Sequence, residues 1–255
     1  MRGSFMFYFR DKVVLVTGGS RGLGKAICQG FAREGARVVV SSRKLDACEA
    51  VVRDIVASGG DALAVAANTG STEDLDHLVA TALGHYGRVD ILVNNAGINI
   101  AFGALNDLSP EAFDKMYQVN QRGPWYLASR LAPRMGETGG GVVINFLSVS
   151  GLRPPAFMGF YAATKAALEA LTKVMAQEWA PMNIRVNAIA PGTYHSDLTD
   201  GAIAAIPGFE EGMLEANLIK RIPESEEIVR PVFYLAGEPF TTGITLTADG
   251  GFMAK

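Results

Sequence analysis

KVVLVTGGSRGLG, residues 12–24, decides how the rest of the chain is read. Residues 12–17 form a short, β-branched, apolar run without alternation, the pattern of a strand buried on both faces. The run leads directly into TGGSRGLG (17–24), and a helical pattern follows over 22–34. Glycine lets a backbone turn sharply and come close to a phosphate. The start of a helix adds free N–H groups and the positive end of a dipole. A strand, a glycine loop and a helix in this order therefore read as a phosphate cradle built from Gly18, Ser20, Arg21, Gly22, Leu23 and Gly24. The spacing Gly18, Gly22, Gly24 differs from G-x-G-x-x-G, and no Lys-Ser/Thr pair follows as in a nucleoside triphosphatase loop.

The same unit repeats outward. Further unalternating runs lie at 37–42, 62–67, 90–95, 141–148, 184–191 and 243–251. Helical patterns separate them at 45–58, 72–86, 110–135 and 161–180, the third either continuous or broken near Pro124. Repeated strand–helix units imply right-handed crossovers, hence an α/β fold with one doubly wound, mostly parallel seven-stranded sheet and helices on both faces. The stretch 193–225, rich in Gly, Pro and acidic residues, reads as a mobile substrate flap within a single domain over 12–255. Residues 1–11 read as a leader or expression remnant: their apolar run is too short for a signal segment and has no cleavage site.

Composition narrows the function classes. Of the 255 residues 49% are hydrophobic and 19% charged, and the net charge is −3. A large core is expected and disorder is not. No basic tract exceeds two residues, so nucleic acid or an anionic membrane is not the expected partner. No stretch approaches the ~18 apolar residues that span a bilayer. A soluble, cytoplasmic protein is the expectation. Cys28 and Cys48 fit neither a metal spacing nor a disulfide framework and read as reduced, buried thiols. The histidines are scattered, and no zinc motif appears.

The end of the second strand selects the cofactor. An acid there would bind both ribose hydroxyls of NAD and repel a 2′-phosphate. This chain instead has Ser41, Ser42, Arg43 and Lys44, and Arg21 converges from the first loop. Cations with hydroxyl donors suit a 2′-phosphate, which points to NADP(H). The alternative for the same residues is a solvated basic turn.

GFYAATKAALEALTK (159–173) places Tyr161 and Lys165 four apart on one helix face. Alone, the pair reads equally as an aromatic helix start and a surface lysine. Chemically, it is a phenol of pKa near ~10 with a cation in position to favour its phenolate.

These motifs together resemble the classical short-chain dehydrogenase/reductase family, from Lys12 to Gly251. TGGSRGLG looks like the family's T-G-x-x-x-G-x-G. NNAG follows at 94–97, Asn120 lies within QVNQRG, Ser148 precedes Tyr161 by thirteen residues, Tyr161 and Lys165 form Y-x-x-x-K, and Pro191-Gly192 ends the sixth strand. The spacing differs from that of the extended branch and of the divergent enoyl reductases.

The resemblance implies hydride transfer between NADP(H) and a carbonyl or secondary alcohol. Tyr161 would be the general acid/base, and Ser148 would hold the reacting oxygen. Lys165 would lower the Tyr161 pKa and contact the nicotinamide ribose, and Asn120 would anchor a water. It also implies cofactor contacts at Asn68 and Thr69, where the family has Asp and a small residue, and at Asn95, Ala96 and Gly97. Pro191, Gly192, Tyr194 and Ser196 would lie at the nicotinamide, with Ser196 replacing the family's Thr. Asn94 would tie the sheet together. Substrate contacts are expected from 99–104, 149–160 and 193–222. Their apolar members Ile100, Phe102, Leu152, Pro154, Phe157, Met158 and Phe160 suit an aromatic, alicyclic or acyl compound. Arg153 could meet a carboxylate or solvent, and His195 a substrate or water. A homo-oligomer, tetramer or dimer, is expected through the long fifth and sixth helices. Burial of Ala166, Leu168, Leu171, Val174 and Met175 against the chain's own sheet would give the same pattern. The competing function class is a cofactor-binding regulator or scaffold without turnover, which the presence of Ser148, Tyr161 and Lys165 disfavours.

Overall fold

The computed structural model describes residues 9–205 and 207–255. Seven strands form one parallel sheet in the order β3-β2-β1-β4-β5-β6-β7. They are β1 Val13–Thr17, β2 Arg37–Ser42, β3 Asp61–Ala66, β4 Ile91–Asn94, β5 Gly141–Phe146, β6 Ile184–Pro191 and β7 Thr245–Ala248. The helices are α1 Gly22–Arg33, α2 Leu45–Ala57, α3 Thr72–Tyr86, α4 Pro110–Tyr117, α5 Gly123–Glu137, α6 Val149–Leu152, α7 Gly159–Trp179, α8 Asp197–Ala205, α9 Phe209–Ala216 and α10 Val229–Gly237.

The unalternating strands are explained by two cores, one on each face. Val14 and Val16 of β1 join a cluster with Ile27 and Phe31 of α1, Val51 and Ile55 of α2, and Val232 and Phe233 of α10. Val13 and Leu15 point the other way, into a cluster with Leu75 and Leu78 of α3, Leu127 and Leu131 of α5, and Met175 of α7. Successive side chains of a strand face opposite sides, so a sheet covered twice needs apolar residues at every position.

β1 pairs with β2 on one side and β4 on the other. The strand order reverses there, and in open α/β sheets the crevice at the carboxyl end of such a switch point binds ligand. Asn94, at the end of β4, donates to Asn145 Oδ1 at 2.9 Å and to the Pro124 carbonyl at 3.1 Å. Asn145 in turn donates to Thr172 Oγ1 at 2.9 Å. This buried ladder ties β4, β5, α5 and α7 together below the site.

Several boundaries differ from the sequence expectation. The fold begins before Lys12: Phe9 is 3% exposed and packs on Phe31 and Phe233, with ring centroids 4.8 and 4.9 Å away. The expected leader therefore excludes residues 9–11, while residues 1–8 lie outside the described residues. The helix over 110–135 does not break at Pro124. A π-turn over Gln118–Arg122 joins α4 to α5 in continuous helical backbone, with Gly123 N–H bonded to the Gln118 carbonyl, and Pro124 follows directly after this widened turn. The expected flap carries the short helices α8 and α9. No helix among the described residues is long and apolar enough to cross a membrane.

Candidate active site

The glycine loop is held open from beneath. Gly18 has φ +66°, a conformation that glycine adopts without strain. A Cβ on Gly24 would fall 2.1 Å from the Gly18 carbonyl oxygen, so the helix can meet the loop only without a side chain there. Asn95 Nδ2 donates to the Thr17 and Gly18 carbonyls at 3.0 and 3.2 Å, and Ala96 N–H donates to Thr17 Oγ1 at 3.1 Å. NNAG thus braces the cradle from the neighbouring strand. The first turn of α1 has no capping side chain and no acidic residue. Its N–H groups and dipole remain directed at an anion.

In front of the loop lies a cleft of about 590 Å³. Fourteen of the residues expected to touch cofactor line it: Gly18, Ser20, Arg21, Gly22, Leu23, Gly24, Ser42, Arg43, Asn68, Thr69, Asn95, Ala96, Gly97 and Ser196. Lys44, Ala47, Ala67, Ile98, Lys115 and Val119 line it as well. The lining contains four cations (Arg21, Arg43, Lys44 and Lys115) and no carboxylate. Ser42 Oγ lies 3.1 Å from Cys48 Sγ, which holds the hydroxyl near the wall. Asn68 Oδ1 accepts from Gly70 N–H at 3.1 Å. The Asn68 amide nitrogen adds a donor at this edge that the family's Asp would lack.

At the far end of the cleft stand the residues with proton chemistry. Ser148 follows β5 and caps α6, accepting from Ser150 N–H at 3.1 Å. A Cβ on Gly151 would lie 2.7 Å from Lys165 Cβ, so α6 packs close on α7 and presents Ser148 to Tyr161. Burial pushes the Tyr161 phenol up from its usual 10, and a hydrogen bond with Ser148 opposes that rise. Lys165 is 3% exposed and donates to the Phe146 carbonyl at 2.7 Å. Burial pulls its pKa down to about 8. Its ammonium sits 5.8 Å from the Tyr161 ring centroid. The lysine lies over the ring face, and burial is the dominant influence on the phenol, which stands above its usual value rather than below it. Burial drives both groups toward their neutral forms.

Asn120 is fully buried in the π-turn. Its Oδ1 accepts from Ile98 N–H at 2.8 Å, and its Nδ2 donates to the Ile98 carbonyl at 2.8 Å and to Thr164 Oγ1 at 3.2 Å. The side-chain amide therefore fixes the loop after β4 against α7. A Cβ on Gly97 would approach Lys165 Nζ at 3.2 Å and Asn120 Oδ1 at 3.5 Å, which joins the cleft to the Tyr161 end.

Other expectations are met unevenly. Ser196 lines the cleft and caps α8, accepting from Thr199 N–H at 3.3 Å. Pro191 and Gly192 lie outside the cleft lining; Gly192 N–H donates to the Ala248 carbonyl at 3.0 Å. Tyr194 does not face the cleft: it is 8% exposed within the core cluster of α1 and α10, and burial pushes its phenol up to about 12. Arg153 is exposed to solvent, one of its two expected surroundings, with its guanidinium 5.3 Å from the Phe252 ring centroid. His195 Nδ1 is 2.7 Å from Asp200 Oδ1, which raises its pKa. Ile100, Phe102 and Phe157 are exposed, Leu152 is half-buried beside Leu147 and Leu168, and Phe160 packs on Phe113 at 5.2 Å. Cys28 and Cys48 are free and buried. No group of three metal-ligating side chains occurs among the described residues.

The pattern of the family described as short chain dehydrogenase matches residues 12–205. The chain belongs to the short-chain dehydrogenase family. It is 36% identical over 243 residues to the dehydrogenase/reductase SDR family member 4 of Oryctolagus cuniculus, covering 94% of this chain and 93% of that one. It is 35% identical over 246 residues to the 3-oxoacyl-[acyl-carrier-protein] reductase of Synechocystis, covering 95% and 97%. A 7α-hydroxysteroid dehydrogenase solved with NADH and 7-oxo glycochenodeoxycholic acid superposes with a TM-score of 0.93 at 34% identity, covering 98% of each chain. As a short-chain dehydrogenase, the protein is an oxidoreductase that binds a nicotinamide cofactor and acts on alcohol or carbonyl groups. The cradle that a Cβ at Gly24 would fill, and the carboxylate-free cleft before it, fit such a dinucleotide.

Proposed function

We propose that this short-chain dehydrogenase reduces a carbonyl compound with NADPH, with Tyr161 as general acid. The observation that carries the cofactor choice is the cleft lining: four cations, no carboxylate, and Ser42 at the end of β2. A carboxylate there would select the free ribose hydroxyls, whereas cations select a 2′-phosphate. Gly18 to Gly24 would hold the pyrophosphate, Asn68, Thr69 and Val119 the adenine, and Asn95, Ala96 and Gly97 the adenosine side of the ribose chain. Pro191, Gly192 and Ser196 would border the nicotinamide.

The bound nicotinamide supplies the hydride. The remaining work falls to the protein's own groups. Tyr161, with its pKa raised by burial, holds its proton at neutral pH and can give it to the carbonyl oxygen. Ser148 donates to the same oxygen and fixes it. Lys165, with a pKa of about 8, exchanges protons readily near neutrality and restores the Tyr161 proton. Ile100, Phe102 and Phe157 are exposed by 55%, 66% and 64% beside this end and suit an apolar substrate. Trp125 on α5 and Val174 on α7 are also exposed, and we assign these two helices to a homo-oligomer contact. Leu168 and Met175 instead face the chain's own sheet.

The test is a carbonyl panel followed by NADPH absorbance, with Tyr161→Phe alongside the unmodified enzyme. The variant is expected to bind NADPH unchanged, by fluorescence, and to lose at least ~10²-fold in kcat/KM. Full reduction by Tyr161→Phe would remove Tyr161 from the mechanism.

A further inference from the structure

The cleft is closed on its outer side by α4 and the π-turn that follows. Val119 fixes where that wall lies: a Cβ on Gly70 would meet Val119 Cγ2 at 3.1 Å and Asn68 Oδ1 at 3.4 Å. Val119 therefore stands over the segment after β3. β3 pairs in register with β2, with Ser42 opposite Ala66, so this is the sheet edge at which Ser42 and Arg43 emerge. Lys115 lies four residues before Val119, on the same helix face, and it lines the same cleft. Asn120, the next residue, turns to Ile98 and Thr164 instead. Lys115 consequently belongs to the adenosine end of the cleft and not to the Tyr161 end.

None of Arg43, Lys44 and Lys115 makes an ion pair among the described residues. Three cations lining one cleft that has no carboxylate among its lining residues give it a positive potential. An anion of charge near −2 in that cleft gains their attraction.

We propose that Lys115 is a specificity residue for the 2′-phosphate, reaching it across the cleft from the wall opposite Ser42 and Arg43. This rests on the NADP(H) reading above and extends it to a helix some seventy residues further along the chain. Recognition then comes from both walls, and the adenosine is clamped between β2 and α4.

The experiment is calorimetric titration with adenosine 2′,5′-bisphosphate and with 5′-AMP, without nicotinamide and without turnover. Unmodified protein, Lys115→Gln and Lys115→Glu are compared. Lys115→Gln is expected to weaken the bisphosphate roughly fivefold, the scale of one partly exposed charge pair, and to leave 5′-AMP nearly unchanged. Lys115→Glu should weaken the bisphosphate further. Equal losses for the two ligands would place Lys115 at the adenine or the 5′-phosphate and overturn the proposal, as would no loss at all. If the unmodified protein binds the bisphosphate no more tightly than 5′-AMP, the NADP(H) reading itself fails, and the Lys115 assignment fails with it.

Discussion

Replacing Lys165 by methionine should abolish carbonyl reduction and yet stabilise the protein at neutral pH. The lysine is 3% exposed, and among the described residues its ammonium has a single hydrogen-bond acceptor, the Phe146 carbonyl. Burial lowers its pKa from the usual 10.5 to about 8. At about 1.4 kcal/mol per pH unit, holding the charged form inside costs on the order of 3 kcal/mol. Methionine removes that cost but leaves the Phe146 carbonyl without its donor, which offsets about 1 kcal/mol. The net gain is about 2 kcal/mol. For a chain of this size that corresponds to a Tm higher by roughly 4–8 °C.

The pH dependence is more decisive than the magnitude. Below pH 8 the lysine is charged in both folded and unfolded chains, and the folded protein bears the full cost. Between about 8 and 10.5 the unfolded lysine still holds a proton that the folded one has released. The unfolded state then binds more protons, and the stability of the unmodified protein rises with pH relative to the variant. The advantage of Lys165→Met should thus be complete at pH 7 and fade through that window. Urea unfolding of both proteins at pH 7, 8.5 and 10 measures it, and groups common to both cancel in the difference. A variant less stable than the parent at pH 7, or a difference that does not change with pH, would refute the argument.

Three further outcomes follow from the geometry. Gly24→Ala puts a Cβ 2.1 Å from a backbone oxygen that no rotamer change can move; NADPH affinity should fall more than ~10-fold and stability by about 1–3 kcal/mol, read by fluorescence titration and thermal melting. Phe9→Ala empties a buried ring site between Phe31 and Phe233 and should cost about 3–5 kcal/mol in chemical denaturation, whereas a residue outside the fold would cost nothing measurable. Arg43→Asp places a carboxylate in a cleft that has none and should move the NADPH/NADH ratio of kcat/KM toward NADH by at least ~10-fold; an unchanged ratio would remove Arg43 from the 2′-phosphate site.

The strand runs were legible because a sheet covered on both faces demands apolar residues at consecutive positions. The helix over 72–86 was legible to the residue because Ser71 caps it through Asp74 N–H and Gly87 ends it in a left-handed turn. Both signals are local. The glycine loop was legible for a similar reason, since its spacing encodes backbone shape. Where packing decides, the reading failed. Phe9 looked like part of a leader because its partners, Phe31 and Phe233, are distant in sequence. Tyr194 follows Pro-Gly like a ligand residue, but its side chain falls into the core under α10.

Taken alone, the sequence determined the α/β class, the seven strands and the residue types available for proton transfer and phosphate binding. Those depend on periodicity, turn chemistry and side-chain identity, which a linear chain carries. Only the tertiary structure decided how the residues act together. It brought Lys115 into the lining of the same cleft as Ser42 and Arg43 and turned the Asn120 amide onto Ile98 rather than into open space. It also buried Lys165 deeply enough to bring its pKa to about 8. Desolvation and charge clustering depend on what lies nearby in space, and strand order and helix packing set that proximity.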